Sequence, residues 1–472
     1  MFKKLPLRQS SDLTFSLLVT IFVVASLTVG IIFPQADTQK AQISSETAIT
    51  TINLMVFGLV LILFAIVFMF VRLMLLFREN KLMKLNWPAR LNRVEENLRT
   101  TQFNFQQLLE DINKLGRSKL TDWFSVYKHI CEVDLLLDAG GNTILWQRFN
   151  ELKDGLNAEF SEKYFREYPA LVLAKEPLLS PQILPDFFQA GYKKPLFILL
   201  FDGLRLDHWH KIRDYVQGEL SNYKLKQDAQ SFSILPTHTA YARNAFFSGL
   251  YPDQCAREYY HGELKNNQYE ETAFFALAKK YGKRIFYLRG AENDFSTAIK
   301  GIKNEDYDIK AFVFMFVDGL THTMSATKAS EKAFREHVQV EFRQDAVKAI
   351  LNKINEQKGT VLLTSDHGSK LVHNTMRLDG LVDYRNMEGK ETFSQRFALG
   401  TIINRNSLNK DLFLIDKPAD HRLPGNENTQ YVLAKDDIRF KSKGGMPVHE
   451  YVHGGVSMEE VIVPKIVFEF DA

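Results

Sequence analysis

Residues 196–203 read Leu-Phe-Ile-Leu-Leu-Phe-Asp-Gly, an apolar run that ends in an acidic residue and a glycine. An uninterrupted apolar run of this length is typical of a strand that is buried on both faces. Similar runs occur at Ile285–Leu288, Phe312–Val317 and Val361–Thr364, and helical patterns separate them. Buried strands that alternate with helices predict an α/β fold with a mostly parallel sheet flanked by helices.

Acidic residues follow three of these apolar runs. Asp202 follows the first run, Asp318 lies at the end of the third, and Asp366-His367 follows the fourth. Because ligands bind beyond the carboxyl ends of parallel strands, we expect these side chains to lie close together. Clustered carboxylates repel one another unless a cation neutralises them, so the pattern predicts a metal site.

Two further histidines fit such a site. His322 stands four residues after Asp318, and His453 follows much later in Tyr451-Val452-His453-Gly454-Gly455. Aspartate oxygens and histidine nitrogens are ligands that zinc and manganese accept. The chain has two cysteines, Cys131 and Cys255, which is too few for a disulfide framework or a cysteine-based metal site.

The remaining element is Pro236–Asn244, followed by Ser248–Pro252. Along the chain, the motif residues come in the order Asp202, Thr239, Asp318 with His322, Asp366-His367 and His453. This ordered series resembles that of the alkaline-phosphatase superfamily and, within it, of the PglZ-type domain. The closing stretch His453–Pro464 is similar to PglZ domains in particular. The resemblance covers about residues 190–472 and implies an alkaline-phosphatase-like catalytic domain over residues 191–472.

The resemblance also implies roles for individual residues. It implies two divalent metals, Zn²⁺ or Mn²⁺, held in two groups: Asp318, His322 and His453 in one, and Asp202, Asp366, His367 and the Thr239 hydroxyl in the other. Thr239 is the expected nucleophile, and Thr237 is the competing candidate. Arg243 and Asn244 are candidates for binding the phosphoryl oxygens, with a place on the helix surface as the alternative.

For function, the resemblance implies a phosphodiesterase that acts on a nucleotide or oligonucleotide through a phosphothreonine intermediate. A phosphomonoesterase or phosphomutase is one alternative, and a membrane-tethered signalling or assembly protein that binds a nucleotide is another. A sulfatase is disfavoured because Thr239-x-Tyr241-x-Arg243 lacks the oxidisable residue and the proline of sulfatases. The net charge of +3 does not indicate a nucleic-acid binder.

Two apolar stretches, residues 14–33 and 54–77, predict a hairpin of transmembrane helices. The first carries no charge over 20 positions, enough to cross a hydrocarbon core of ~30 Å. Basic residues flank the outer ends of both stretches, and few lie in the loop at 34–53. The charge pattern predicts an inner (cytoplasmic) membrane protein with both termini and the catalytic domain in the cytoplasm. A cleavable signal peptide is the alternative for the first stretch.

A helical connector is predicted for residues 79–190. Between residues 88 and 115 apolar residues recur at heptad spacing. This seam predicts either a short coiled coil that joins two chains as a homodimer or an amphipathic helix packed on its own domain. At about residues 370–450 we expect a cap insertion that selects the substrate.

Overall fold

The computed structural model describes residues 104–471, except 141–142, 175, 177, 263, 325–329, 379–381, 384–394, 403–411, 427, 436 and 442–449. The two predicted spans, residues 14–33 and 54–77, lie outside the described residues. Residues 88–103 of the predicted coiled coil lie outside them as well. None of the helices that the structure describes combines the length and the apolarity needed to cross a bilayer.

The elements of the described residues are numbered here in chain order. The strands are β1 (Leu196–Phe201), β2 (Tyr223–Phe232), β3 (Ile285–Arg289), β4 (Ile309–Phe314), β5 (Thr360–Thr364), β6 (Lys370–Val372), β7 (Asn374–Arg377), β8 (Val382–Asp383), β9 (Phe397–Ile402), β10 (Leu412–Ile415), β11 (Gln430–Ala434), β12 (Ile438–Lys441), β13 (Glu450–Val452) and β14 (Ile462–Phe470). The helices are α1 (Asp122–Gly140), α2 (Thr143–Leu171), α3 (Ser180–Ala190), α4 (Leu206–Glu219), α5 (Thr239–Ser248), α6 (Pro252–Cys255), α7 (Glu270–Lys280), α8 (Phe295–Lys303), α9 (Phe316–Met324), α10 (Glu331–Phe342), α11 (Asp345–Asn355) and α12 (Met458–Val461). A π-helical turn occupies Ala256–Tyr260, and a 3-10 turn occupies Pro418–His421.

The central sheet has six strands in the order β2-β14-β5-β1-β4-β3. Strand β1 lies between β4 and β5 and is parallel to both, and β3 is parallel to β4. Strand β14 is antiparallel to its two neighbours, β5 and β2, so it runs against the other strands and makes the sheet mixed. The predicted α/β fold is confirmed.

The residues of β1 are buried on both faces of the sheet, as the apolar run predicted. Phe197, Leu199 and Phe201 join one hydrophobic core, and Leu196, Ile198 and Leu200 join the other. Because side chains alternate across a strand, one continuous apolar run supplies both cores. Strands β4 and β5 are buried along their whole lengths in the same way.

The third apolar run, Phe312–Val317, is not a single strand. Strand β4 ends at Phe314, and helix α9 begins at Phe316. Asp318 therefore lies in the first turn of a helix instead of at the tip of a strand. Apolar residues suit both elements, which is why the run shows no break in the sequence.

Helices α1 and α2, expected as part of a connector, share the larger hydrophobic core with the sheet. The rings of Phe124 in α1 and Tyr164 in α2 both pack on Phe232 at the end of β2, with centroid distances of 4.4 and 5.3 Å. These helices are thus built into the same body as the strands.

The described end of the heptad seam packs against its own domain. Residues 104–114 are mostly helical, and the side chains of Phe105 and Ile112 are fully buried in the larger core. Leu108 and Leu115 pack against that core as well. A coiled coil needs these side chains to face a second chain. For residues 104–115 the coiled-coil interpretation is therefore wrong, and the amphipathic helix describes them.

The segment expected as a cap insertion is mostly strands where it is described. Strands β8 to β11 form a four-stranded sheet in the order β10-β11-β9-β8, while β12 pairs with β7 and β13 pairs with β6. Arg396 is fully buried and joins this segment to the C-terminal loop, because its Nε donates to Glu460 at 2.9 Å.

We expect Phe105→Ala to lower the free energy of unfolding by about 3–5 kcal/mol, because it leaves a cavity in the core of the domain. Urea denaturation of the full chain measures this change. Asn113→Ala, at an exposed position of the same helix, is the control and should change the value by less than about 0.5 kcal/mol. Equal values for the two variants would contradict the packing described above.

Candidate metal centre

Three carboxylates converge at the carboxyl edge of the central sheet. Asp202 follows β1 and Asp366 lies just beyond β5, and these two strands are parallel neighbours with Leu200 opposite Thr364. Asp318 lies in α9, which follows β4 on the other side of β1. The backbone N–H of Asp318 donates to the carbonyl oxygen of Asp202 at 3.1 Å, which brings the two segments together.

Asp202, Asp366 and His367 form a compact buried group. Each offers one ligand atom, and these atoms all lie within 4.8 Å of one another. The Nε2 atom of His367 is 3.5 Å from Asp202 Oδ1 and 3.7 Å from Asp366 Oδ2. Both of these carboxylate oxygens are buried without a hydrogen-bond partner in the described part of the chain.

The electrostatics of this group favour a cation. Burial and the neighbouring Asp366 carboxylate raise the pKa of Asp202 well above its ordinary value, although Arg243 opposes the shift. Burial likewise raises the pKa of Asp366 to about 7. A buried carboxylate with one oxygen left without a donor is costly to ionise, and a divalent metal would lower that cost. The donor set therefore fits a metal ion.

Two histidines are oriented so that the same ring nitrogen faces the site. Nδ1 of His367 lies 2.9 Å from the carbonyl oxygen of Gly368, and Nδ1 of His453 lies 3.1 Å from that of Thr237. Because a carbonyl oxygen only accepts, each Nδ1 carries the proton. In the neutral ring, Nε2 is then the nitrogen whose lone pair can bind a metal. The two rings stack with centroids 4.2 Å apart.

Asp318 stands at the centre of the second group. His322 lies one turn further along α9, so that its Nε2 is 3.3 Å from Asp318 Oδ2. Nε2 of His453 is 3.7 Å from Asp318 Oδ1. Burial alone would raise the pKa of Asp318, but the hydrogen bond with His322 and the nearby imidazoles hold it well below its ordinary value. The structure thus places each of the two histidines beside Asp318, but among the described residues only the first group has ligand atoms that all lie within 4.8 Å of one another.

The two candidate nucleophiles have different surroundings. Thr239 opens α5 and is half-buried, and its Oγ1 lies 2.9 Å from Nε2 of His367. Thr237 is fully buried. Its hydroxyl donates to the carbonyl oxygen of Gly455 at 2.8 Å and accepts from the N–H of Gly454 at 3.1 Å. Thr237 therefore holds the backbone next to His453, whereas Thr239 faces a ligand of the first group.

Arg243 is placed differently from the phosphoryl-binding role expected of it. It lies one turn after Thr239 on α5 and is 2% exposed. Its Nη1 donates to Asp202 at 2.5 Å and its Nε donates to Glu270 at 2.6 Å. The guanidinium thus bridges two buried carboxylates and orients Asp202.

Asn244 is also engaged by protein groups. Its Nδ2 donates to the carbonyl oxygens of Ala240 and Asn266, at 2.7 and 2.9 Å, and its Oδ1 accepts from the hydroxyl of Tyr260 at 3.1 Å. These bonds fix the segment around residue 266 beside α5. The side-chain amide of Asn244 thus bonds to protein groups, where a contact with phosphoryl oxygens was expected.

Comparisons with known proteins identify the family of the chain. The model of the BREX system PglZ alkaline phosphatase-like domain matches residues 181–468. The chain belongs to the PglZ family. No curated protein sequence matches the chain. Similar solved structures include two of murine ectonucleotide pyrophosphatase/phosphodiesterase 5, one of them an inactive variant in complex with AMP. Both are 12% identical to this chain and cover 59% of it, with TM-scores of 0.45 and 0.42 over 89% and 88% of their own lengths.

The PglZ domain also contains residues at this site that the sequence did not single out. Glu270 pairs with Arg243 and accepts from the Tyr287 hydroxyl, and no local motif marks it. His238 packs against the rings of His453 and Phe397, at centroid distances of 5.4 and 5.2 Å. Burial lowers the pKa of His238 to about 4, so its ring is neutral at pH 7. Its position beside Thr239 was the available signal.

We expect Gly368→Ala to destabilise the PglZ domain by at least about 2 kcal/mol. An added Cβ would lie 1.9 Å from the carbonyl oxygen of Glu459, and the Gly368 N–H is held by Glu460 at 2.9 Å. Thermal unfolding and bound-metal analysis should both register the change. In the control Gly155→Ala, the new methyl group meets nothing within 4 Å, and removal of a glycine from a helix should stabilise by about 0.5–1 kcal/mol. A wild-type Tm for Gly368→Ala would refute this account of the loop.

Proposed function

We propose that this PglZ domain is a phosphohydrolase that depends on two divalent metals, Zn²⁺ or Mn²⁺. The observation that carries the proposal is the pair of buried, unpartnered oxygens on Asp202 and Asp366, which face Nε2 of His367 beside Thr239. In a purely structural ion pair, a protein donor would normally hydrogen-bond to each buried carboxylate oxygen.

The two predicted groups divide the ligands between the metals. Asp202, Asp366, His367 and Thr239 would hold one metal, and Asp318, His322 and His453 would hold the other. When bound, the metals supply positive charge for the attacking and leaving oxygens of an in-line displacement.

Thr239 is the nucleophile in this proposal. Its Oγ1 lies 2.9 Å from Nε2 of His367, close enough for both atoms to bind one metal, and it lies at the N-terminus of α5, where backbone N–H groups favour anions. Attack on phosphorus forms a phosphothreonine and releases the leaving alcohol, and water then hydrolyses the phosphothreonine. The commitment of Thr237 to Gly454 and Gly455 supports Thr239 over Thr237.

The substrate class that we propose is a phosphodiester, a nucleotide or oligonucleotide. The frame from Pro236 to Gly249 resembles that of nucleotide phosphodiesterases, and Arg243 supports a diester over a monoester. Its guanidinium is bound by Asp202 and Glu270, so it does not supply a cation for the second negative charge of a monoester. If the chain hydrolyses monoesters faster than diesters, the alternative of a phosphomonoesterase or phosphomutase applies. If it hydrolyses neither, the alternative of a nucleotide-binding protein applies.

We expect Thr239→Ala to abolish turnover of bis-p-nitrophenyl phosphate, and the wild-type chain to bind about two equivalents of metal. Excess metal should not restore the activity, because the attacking oxygen is missing. Thr237→Val is the matched control: it loosens the backbone beside His453, so its lower activity should recover when Zn²⁺ is added. Full activity of Thr239→Ala would identify another nucleophile.

We also propose that residues 14–33 and 54–77 anchor the chain in the inner membrane with the PglZ domain in the cytoplasm. The uncharged first stretch and the basic residues on the outer flanks support this arrangement.

A C-terminal fusion tests the topology. We expect a fluorescent reporter that folds in the cytoplasm to be active in the membrane fraction, and alkaline phosphatase fused at the same position to be inactive. The opposite pair of results would place the PglZ domain outside the cytoplasm.

A further inference from the structure

Helix α2 contacts both loops that lead to or from the metal centre. Four of its polar residues, Asn157, Ser161, Tyr164 and Tyr168, recur at steps of three and four and so lie on one face of the helix. All four are buried. Each hydrogen-bonds either to residues 233–235, which precede Thr239, or to residues 456–459, which follow His453.

The two tyrosines hold the loop before Thr239. The hydroxyl of Tyr164 donates to the carbonyl oxygen of Ser233 at 2.6 Å, and that of Tyr168 accepts from the N–H of Leu235 at 3.1 Å. The Oγ of Ser233 in turn donates to the carbonyl oxygen of Asp366 at 2.6 Å. A chain of two hydrogen bonds thus joins α2 to the backbone of a candidate metal ligand.

Asn157 holds the loop after His453. Its Nδ2 lies 3.1 and 3.0 Å from the two carboxylate oxygens of Glu459, and its Oδ1 accepts from the N–H of Met458 at 2.9 Å. Ser161 donates to the carbonyl oxygen of Val456 at 2.9 Å. Through Asn157 and Ser161, α2 fixes the backbone that follows His453.

A cavity lies along one side of α2 next to Asn157's neighbour Lys153. A cavity of about 580 Å³ lies between Trp146 and Lys153 of α2 and the residues Lys370 and Glu459. Beside this cavity Lys153 forms an ion pair with Glu459 at 3.4 Å. Asn157 and Lys153 therefore both connect α2 to Glu459 at this point.

We infer that Asn157 and Tyr164 are positioning residues of the metal centre, so that α2 sets the spacing between the Asp366-His367 pair and His453. The inference rests on the proposed function, because it assumes that these residues bind metal. Partners outside the ligand set commonly change metal affinity by about 10–100-fold when they are removed. None of the motifs in the sequence includes α2.

The test compares two Tyr→Phe substitutions, each of which removes a hydroxyl that donates a hydrogen bond to a backbone carbonyl. In the full chain, Tyr164→Phe should weaken Zn²⁺ binding about tenfold, as measured by competition with a chromophoric chelator. Its kcat for bis-p-nitrophenyl phosphate should fall at limiting Zn²⁺, recover at saturating Zn²⁺, and show an unchanged KM. Tyr223→Phe is the control. The Tyr223 hydroxyl donates to the carbonyl of Gln357 at 2.9 Å. Tyr223 lies nine residues along β2 from Phe232, or about 30 Å away from it.

Both variants should lose a similar, small amount of Tm, and the Zn²⁺ affinity of Tyr223→Phe should equal that of the wild type. Asn157→Ala should weaken Zn²⁺ binding in the same direction as Tyr164→Phe. Equal Zn²⁺ affinities for Tyr164→Phe and Tyr223→Phe would overturn the inference and leave the proposed function intact. A wild-type chain that neither binds Zn²⁺ nor hydrolyses the diester would instead refute the proposed function.

Discussion

The carboxylates of Asp202 and Asp366 lie side by side in the interior of the PglZ domain, each with one oxygen that receives no hydrogen bond from the described residues. Arg243 is the cation in contact with Asp202, and it is shared with Glu270. Three buried carboxylates thus face one guanidinium, and mutual repulsion would favour protonation of one of them. A bound metal ion would supply the positive charge that these carboxylates need to remain ionised.

This requirement accounts for the number of supports around the site. The rings of His367 and His453 are held by backbone carbonyls, so that both present Nε2. Thr237 and Arg396 fix the loop after His453 from two other directions, one from the segment before α5 and one from the strand-rich insertion. A metal centre needs its ligands within a few tenths of an ångström of fixed positions, and such outer bonds maintain them.

The strands and the convergence of Asp202, Asp318 and Asp366 could be predicted because their signals are local or ordered along the chain. The apolar run of β1 matched its strand from Leu196 to Phe201, and the strand-end rule placed Asp202, Asp318 and Asp366 at one edge of the sheet. The boundary between β4 and α9 could not be predicted, because the residues on both sides of it, Phe314 and Phe316, are apolar.

Contacts between distant residues were beyond the sequence as well. Asn157 and Glu459 are 302 positions apart, and Asn157 belongs to no recognisable motif. The pairing of Arg243 with Glu270 depends on how α5 and α7 pack, which a single sequence does not encode in any local pattern. Helix amphipathicity shows that a face is buried without showing which partner covers it, and for this reason the seam at 104–115 was compatible with a second chain.

Anomalous X-ray diffraction from crystals grown with Zn²⁺ tests the central claim most directly. We expect two peaks at the zinc edge, about 3.5–4 Å apart. One should lie among Asp202, Asp366 and His367, and the other among Asp318, His322 and His453. Crystals soaked at saturating Zn²⁺ that show no peak at either position, with Asp202 and Asp366 sharing a proton instead, would contradict it.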